Sequence, residues 1–221
     1  MHSCEQNLNF VKNKINEILY RKQLKSSPKI IAVTKTFTID KIYPLLEIGH
    51  VHFGENKMQE AEVKWKNLKK KYKNLQLHMI GQLQSNKAKK AVQLFDYIHS
   101  LDSAKLASKI SKYEKEMNKK IKLFIQVNIV EEKNKSGIPL KDVGNFFNYC
   151  KNELSLNVIG LMCLPPLKSD PDKYFKVLKQ CSDKLNLAQL SMGMSADYDQ
   201  AVLNGSTFLR LGTAIFGNRN S

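Results

Sequence analysis

A parallel (β/α)8 barrel, the TIM-barrel form of the α/β class, is the fold this 221-residue sequence predicts, on three observations. Short apolar runs rich in β-branched residues alternate with helix-length amphipathic stretches, the pattern of parallel strands covered on both faces. Eight such runs can be counted, the number that closes a barrel, and roughly 200 to 250 residues suffice for one. Glycines and unusual polar residues collect just after the runs, at the end of a barrel where sites are built. A doubly wound open sheet is the alternative. No Pro/Gly/Ser-rich linker or low-complexity tract divides the chain, so residues 1–221 read as one domain.

Residues 5–24 place Leu8, Val11, Ile15, Ile18 and Leu19 at helical spacing, an extra helix ahead of the barrel that Ser26, Ser27 and Pro28 end. The first strand is KIIAV, which stops just short of Lys35. Thr38 then caps a helix through Ile39, Ile42, Leu45 and Leu46 to Gly49, with Pro44 an awkward member. The further strands are expected at 52–55, 77–80, 97–100, 122–128, 157–162, 190–192 and 207–211. Helices are expected up to Tyr72, over 86–95, from the Ser103 cap to Asn118, over 139–151, up to Leu185 and over 196–203.

Composition excludes several function classes. Hydrophobic content of 42% and charged content of 25% are ordinary for a water-soluble domain, and no apolar run approaches the ~18 residues of a membrane span. The amino terminus shows neither a secretory signal nor a transit-peptide pattern, so a cytoplasmic location is expected. Cys4, Cys150, Cys163 and Cys181 have neither metal-ligand nor disulfide-framework spacing. The formal net charge is +16, but all but three of the 36 basic residues are lysines, spread over helix faces. That pattern gives loose attraction for polyanions without the clustered arginines and aromatics of specific nucleic-acid recognition.

The chemistry-bearing residues follow the strands. Lys35 lies just past the carboxyl end of the first strand, where a primary amine can meet a carbonyl compound, although it can also be one more surface lysine. Asn56, Gly81 and Ser103 have capping or turn readings. The strings SMGMS (191–195) and RLGT (210–213) put Ser195, Gly212 and Thr213 after the last two strands, where converging amides can cup a phosphate. Arg210 lies just before; a salt bridge across the barrel mouth is its other reading. An amine, a phosphate cup and an arginine on one face point to a cofactor with an aldehyde and a phosphate, and pyridoxal 5′-phosphate (PLP) fits.

The strings AVTK (32–35), FGEN (53–56) with Gln59 and Glu60, HMIGQLQSNK (78–87), QVN (126–128), KSGI (135–138), GLM (160–162), SMGMS and RLGTAIFG (210–217) together resemble the pyridoxal phosphate homeostasis protein family, in order and over nearly the whole chain. The resemblance implies a fold type III PLP barrel, similar to the amino-terminal domain of alanine racemase but without its carboxyl-terminal β domain. It implies PLP held as an aldimine on Lys35, with Arg210 at the pyridine nitrogen and Ser195, Gly212 and Thr213 at the phosphate. Asn56 and Met192 would line the ring, with Ile80 and Gly81 beside it. His78-Met79 stands where the family often has an aromatic. The implied function is intracellular PLP (vitamin B6) homeostasis without established catalysis, with PLP and PLP-dependent apo-enzymes as partners; a lone barrel with a heavily charged exterior is expected to be a monomer. A cryptic amino-acid racemase or decarboxylase is the alternative.

Overall fold

Strand pairing decides between the closed and the open sheet. The computed structural model of the chain describes residues 3–25, 27–130, 136–166 and 169–218. Ser26, assigned to the first chain break, and Lys135, which opens the KSGI string, lie outside them. The strands are β1 (Lys29–Val33), β2 (His52–Glu55), β3 (Gln76–Met79), β4 (Tyr97–Leu101), β5 (Lys122–Asn128), the two-residue β6 (Ile138–Pro139), β7 (Val158–Met162), β8 (Gln189–Ser191) and β9 (Phe208–Leu211). All pairings are parallel. β9 returns to β1, with Ile31 opposite Arg210, and β4 pairs with β5, so the eight strands other than β6 form a closed ring. Closure removes the free edges that an open sheet would leave.

Period-two alternation divides the core into two layers. Ile30 and Ala32 of β1, Phe53 of β2 and Leu77 of β3 face outward into the shell shared with the helices, whereas Ile31, Tyr97, Phe124, Met162 and Phe208 fill the barrel interior. The helices complete the βα units: α1 (Cys4–Arg21), α2 (Ile39–Glu47), α3 (Met58–Lys71), α4 (Ala88–Leu94), α5 (Ala104–Met117), α6 (Val143–Asn148), α7 (Asp172–Lys184), α8 (Tyr198–Leu203) and α9 (Thr213–Phe216). The additional helix α1 starts on a Ser3–Gln6 capping box and buries Leu8, Val11 and Ile15. Its Asn7 side chain donates to the Ile215 carbonyl at 2.9 Å, tying the front of the chain to its end.

Most helix ends fall where local chemistry puts them. The Ser103 hydroxyl accepts from the Leu106 amide, and Asn118 closes α5 in the left-handed conformation. Gly49 follows α2 at φ +77°, which glycine adopts without a steric cost. Two expectations need correction. Asn56 is not a helix cap, because α3 begins after Lys57. The single helix expected over 139–151 is a tight turn at Leu140–Asp142, then α6, then a wide turn at Tyr149–Glu153; Gly144, Asn145, Asn148 and Asn152 are poor helix formers. Among the described residues no helix is long and apolar enough to cross a membrane.

Candidate functional site

The loops at the carboxyl ends of the strands enclose a cavity of about 980 Å3. Lys35, Asn56, Ile80, Gly81, Ser195, Arg210, Gly212 and Thr213 all line it, brought together from β1, β2, β3, β8 and β9. The charged side chains among the described lining residues are Lys35 and Arg210, both cationic.

Lys35 is half-buried between two threonines, and both are held by one ionic network. The buried Glu55 carboxylate accepts from Thr34 Oγ1 at 2.6 Å, from Lys64 Nζ at 2.8 Å and from Trp65 Nε1 at 2.9 Å. Lys64 also donates to the Thr34 carbonyl at 2.7 Å and pairs with Glu60 at 3.0 Å. Glu60 in turn accepts from the Thr36 amide at 2.5 Å. Thr36 has φ +69°, a conformation a β-branched residue rarely adopts, so this network fixes a strained turn beside the amine.

Backbone closeness shapes the adjoining wall. A Cβ on Gly81 would stand 2.3 Å from the Asn56 carbonyl oxygen, so only glycine lets the two loops touch. Asn56 Oδ1 is buried with no hydrogen-bond partner, an acceptor ready for a ligand donor. In the far corner the amides of Gly212 and Ala214 converge on one oxygen, Ser195 Oγ, at 3.3 and 3.1 Å. Gly212 sits beside Val33, another lining residue, where a Cβ would make ordinary contact at 3.7 Å. These groups fit an anionic ligand that also carries a hydrogen-bond donor.

Arg210 forms the floor. It is buried at 4% exposure, with Nη1 donating to Ser191 Oγ at 2.7 Å and Nη2 to the Cys163 carbonyl at 2.9 Å. Both acceptors are uncharged, so a salt bridge across the mouth is not what holds it. Burial draws its pKa below the ordinary value, with the Cys163 and Asp197 side chains acting the other way. Burial likewise pushes the Cys163 thiol up to about 12, which keeps it protonated and inert.

Met192 does not reach the cavity. Its neighbour Ser191 faces the barrel interior, so Met192 faces outward and lies fully buried in the shell between sheet and helices. Met194, two residues on, lines the cavity instead, its amide donating to Asp197 Oδ1 at 2.6 Å. Strand parity was the signal that could have found this. Sequence reasoning also missed Tyr174, Gln126 and Ser136 in the wall, where Gln126 Nε2 donates to the Ser136 carbonyl at 3.0 Å. It missed as well the histidines beneath Arg210. His52, His78 and His99 lie two strand positions apart in register on adjacent strands, and their rings meet inside the barrel.

Comparison with known proteins places this geometry. A family model described as alanine racemase, N-terminal domain, matches residues 7–220, which makes the chain a barrel of that class. Proteins named pyridoxal phosphate homeostasis protein align over nearly its full length. That of Pasteurella multocida is 34% identical over 99% of this chain and 98% of its own, and that of Escherichia coli K12 is 32% identical over 100% and 98%. The chain therefore belongs to the pyridoxal phosphate homeostasis protein family. The structure of PipY from Synechococcus elongatus with PLP bound superposes with a TM-score of 0.78 at 34% identity, covering 92% of this chain and 100% of that one. Alanine racemase of Clostridium difficile superposes with a TM-score of 0.72 over 98% of this chain and 58% of that one, and at 15% identity the likeness is one of fold.

Proposed function

We propose that the chain binds PLP reversibly and serves intracellular vitamin B6 homeostasis as a carrier, without turnover of its own. The observation that carries this reading is the convergence of the Lys35 amine, the Arg210 guanidinium and the Ser195–Gly212–Thr213 corner on one cavity. PLP supplies an aldehyde that a primary amine captures reversibly, a dianionic phosphate and a pyridine nitrogen. Lys35 makes the covalent link. Ser195, Gly212 and Thr213 hold the phosphate, and Asn56, Ile80 and Gly81 border the ring. Arg210 donates to the ring nitrogen and leaves it unprotonated, because a guanidinium keeps its own protons at neutral pH. The relatives' names and the PLP in PipY support the cofactor.

Holding rather than turning over is favoured by the name of the relatives, pyridoxal phosphate homeostasis protein. The carrier acts in the cytoplasm as a monomer and delivers PLP to PLP-dependent apo-enzymes. Purified protein incubated with PLP is expected to turn yellow, and borohydride is expected to fix the cofactor on a peptide containing Lys35. Lys35→Ala abolishes that adduct; an adduct of undiminished yield in the variant overturns the assignment. Exchange of amino-acid α-protons with D2O above the free-PLP background replaces the carrier with a racemase or decarboxylase.

A further inference from the structure

Below Arg210, hydrogen bonds run through the barrel from the cavity floor towards the opposite mouth. Ser191 Oγ lies 2.7 Å from Arg210 Nη1 and 2.8 Å from His99 Nδ1. His99 Nε2 lies 2.9 Å from His78 Nδ1, and His78 Nε2 lies 3.0 Å from His52 Nδ1. His52 is half-buried and packs edge-on against Tyr97 and Phe208, which line a second, smaller cavity at the amino-terminal mouth. His78 stacks on Tyr97 with ring centroids 4.2 Å apart, and His99 on Phe124 at 4.3 Å, so neither ring is free to flip.

Donor counting fixes the direction of this chain. A guanidinium can only donate, so Ser191 Oγ accepts from Arg210 and its own proton goes to His99 Nδ1. His99 is then the Nε2–H tautomer and donates to His78 Nδ1. The same step repeats, so His78 is also Nε2–H and donates to His52 Nδ1. The opposite polarity would leave the Ser191 proton with no acceptor among these contacts, a costly vacancy in a buried site.

We propose that Ser191, His99, His78 and His52 are positioning residues for Arg210, a chain of tautomer-locked hydrogen bonds that holds the guanidinium at the cavity floor on neutral acceptors, as a donor to the ligand. This rests on the PLP reading of the cavity, in which Arg210 faces the ring nitrogen. Neutral acceptors suit that task, since a carboxylate beneath Arg210 would pair its charge and draw its donors away from the ligand. The surroundings keep the rings neutral. Burial lowers the pKa of both His78 and His99 well below the ordinary value, with His99 and Arg210 their respective next contributors. Burial is also the main cause of the lowering at His52, followed by His50; Lys29 and Lys122 at the amino-terminal mouth add to the lowering at His52 and His78, and Asp96 opposes it at His52.

Long-range 1H–15N correlation spectra of the ligand-free protein test the lock directly. Protons are expected on Nε2 of His52, His78 and His99, with Nδ1 of each bare; a proton on Nδ1 of His99 or His78 overturns the chain. Ser191→Ala and His99→Phe are expected to release PLP about tenfold faster than the parent, roughly the worth of one hydrogen bond, and to shift the bound cofactor's absorbance. His99→Gln, which can still accept from Ser191 and donate to His78, restores both. If Ser191→Ala and a folded His99→Phe keep parental release and absorbance, the positioning role is refuted. Should the parent protein itself take up no PLP, the PLP reading falls, and the positioning role proposed with it, while the spectra still decide whether the lock exists.

Discussion

Lys35 and Arg210 face one cavity from neighbouring strands, and the protein holds them in opposite ways. The turn that bears Lys35 is braced by charge, with Glu55, Lys64 and Glu60 joined at 2.8 to 3.0 Å around Thr34 and Thr36. Arg210 is braced by neutral groups, Ser191 and the Cys163 carbonyl, with imidazoles behind them. The difference is one of task and depth. Towards the rim, between sheet and α3, an ion pair can fix a strained turn because Lys64 pairs with Glu55 Oε1, which also accepts from Thr34 Oγ1 and Trp65 Nε1, while Glu55 Oε2 stays buried without a partner among the described residues. Inside the barrel a counter-ion would cancel the charge the cavity presents, so a brace must fix geometry without neutralising.

The largest effect should come from breaking the ionic brace on one side. Lys64→Met strands the Glu55 carboxylate, which is wholly buried, and is expected to cost about 3–5 kcal/mol in urea unfolding at neutral pH. The double variant Glu55→Gln with Lys64→Met removes both charges while keeping an acceptor for Thr34 and Trp65, and most of the loss should return. If the double variant is as unstable as the single one, buried charge is not what made the single one costly.

Acid attacks the neutral brace instead. The folded pKa values of His78 and His99 lie below the ordinary 6.5, so below that pH the unfolded chain binds protons that the folded chain refuses. Stability is therefore fully present above pH 6.5 and falls as the pH drops. At about 1.4 kcal/mol per pH unit for each histidine, the two together lower it by nearly 3 kcal/mol per unit. His52, with its pKa lowered to about 4, adds to the fall but is partly exposed and counts for less. Urea midpoints between pH 7 and 5 measure the slope, and replacing His78 and His99 by glutamine should flatten it even though stability at pH 7 drops.

The smallest effect sharpens the first. Lys90 and Glu62 form an ion pair of 2.7 Å, as short as Lys64–Glu55, but both side chains are exposed. Lys90→Ala should leave the urea midpoint close to that of the parent. A loss comparable to that of Lys64→Met would mean that burial does not set the worth of an ion pair in this protein.

Much of this was legible in the residues. Alternating apolar runs marked eight strands within a residue or two of their observed ends, and the post-strand positions of Lys35, Asn56, Gly81, Ser195, Gly212 and Thr213 led to one cavity. Met192 lies outside the cavity lining because strand parity sets Ser191 inward and Met192 outward, which the motif alone does not show. Asn56 looked like a cap because asparagine before a helix usually is one; the helix begins one residue later than that role requires.

The sequence by itself determined what local chemistry can encode: where strands and helices alternate, where they stop, and which polar residues stand just beyond the strand ends. It did not show which side chains meet across the barrel. His52, His78, His99 and Ser191 come from four strands spread over some 140 residues of chain, and no periodicity relates them. Only closure of the sheet, with β9 returning to β1 and the rings in direct contact inside it, turned four separate inward positions into one line of hydrogen bonds beneath Arg210.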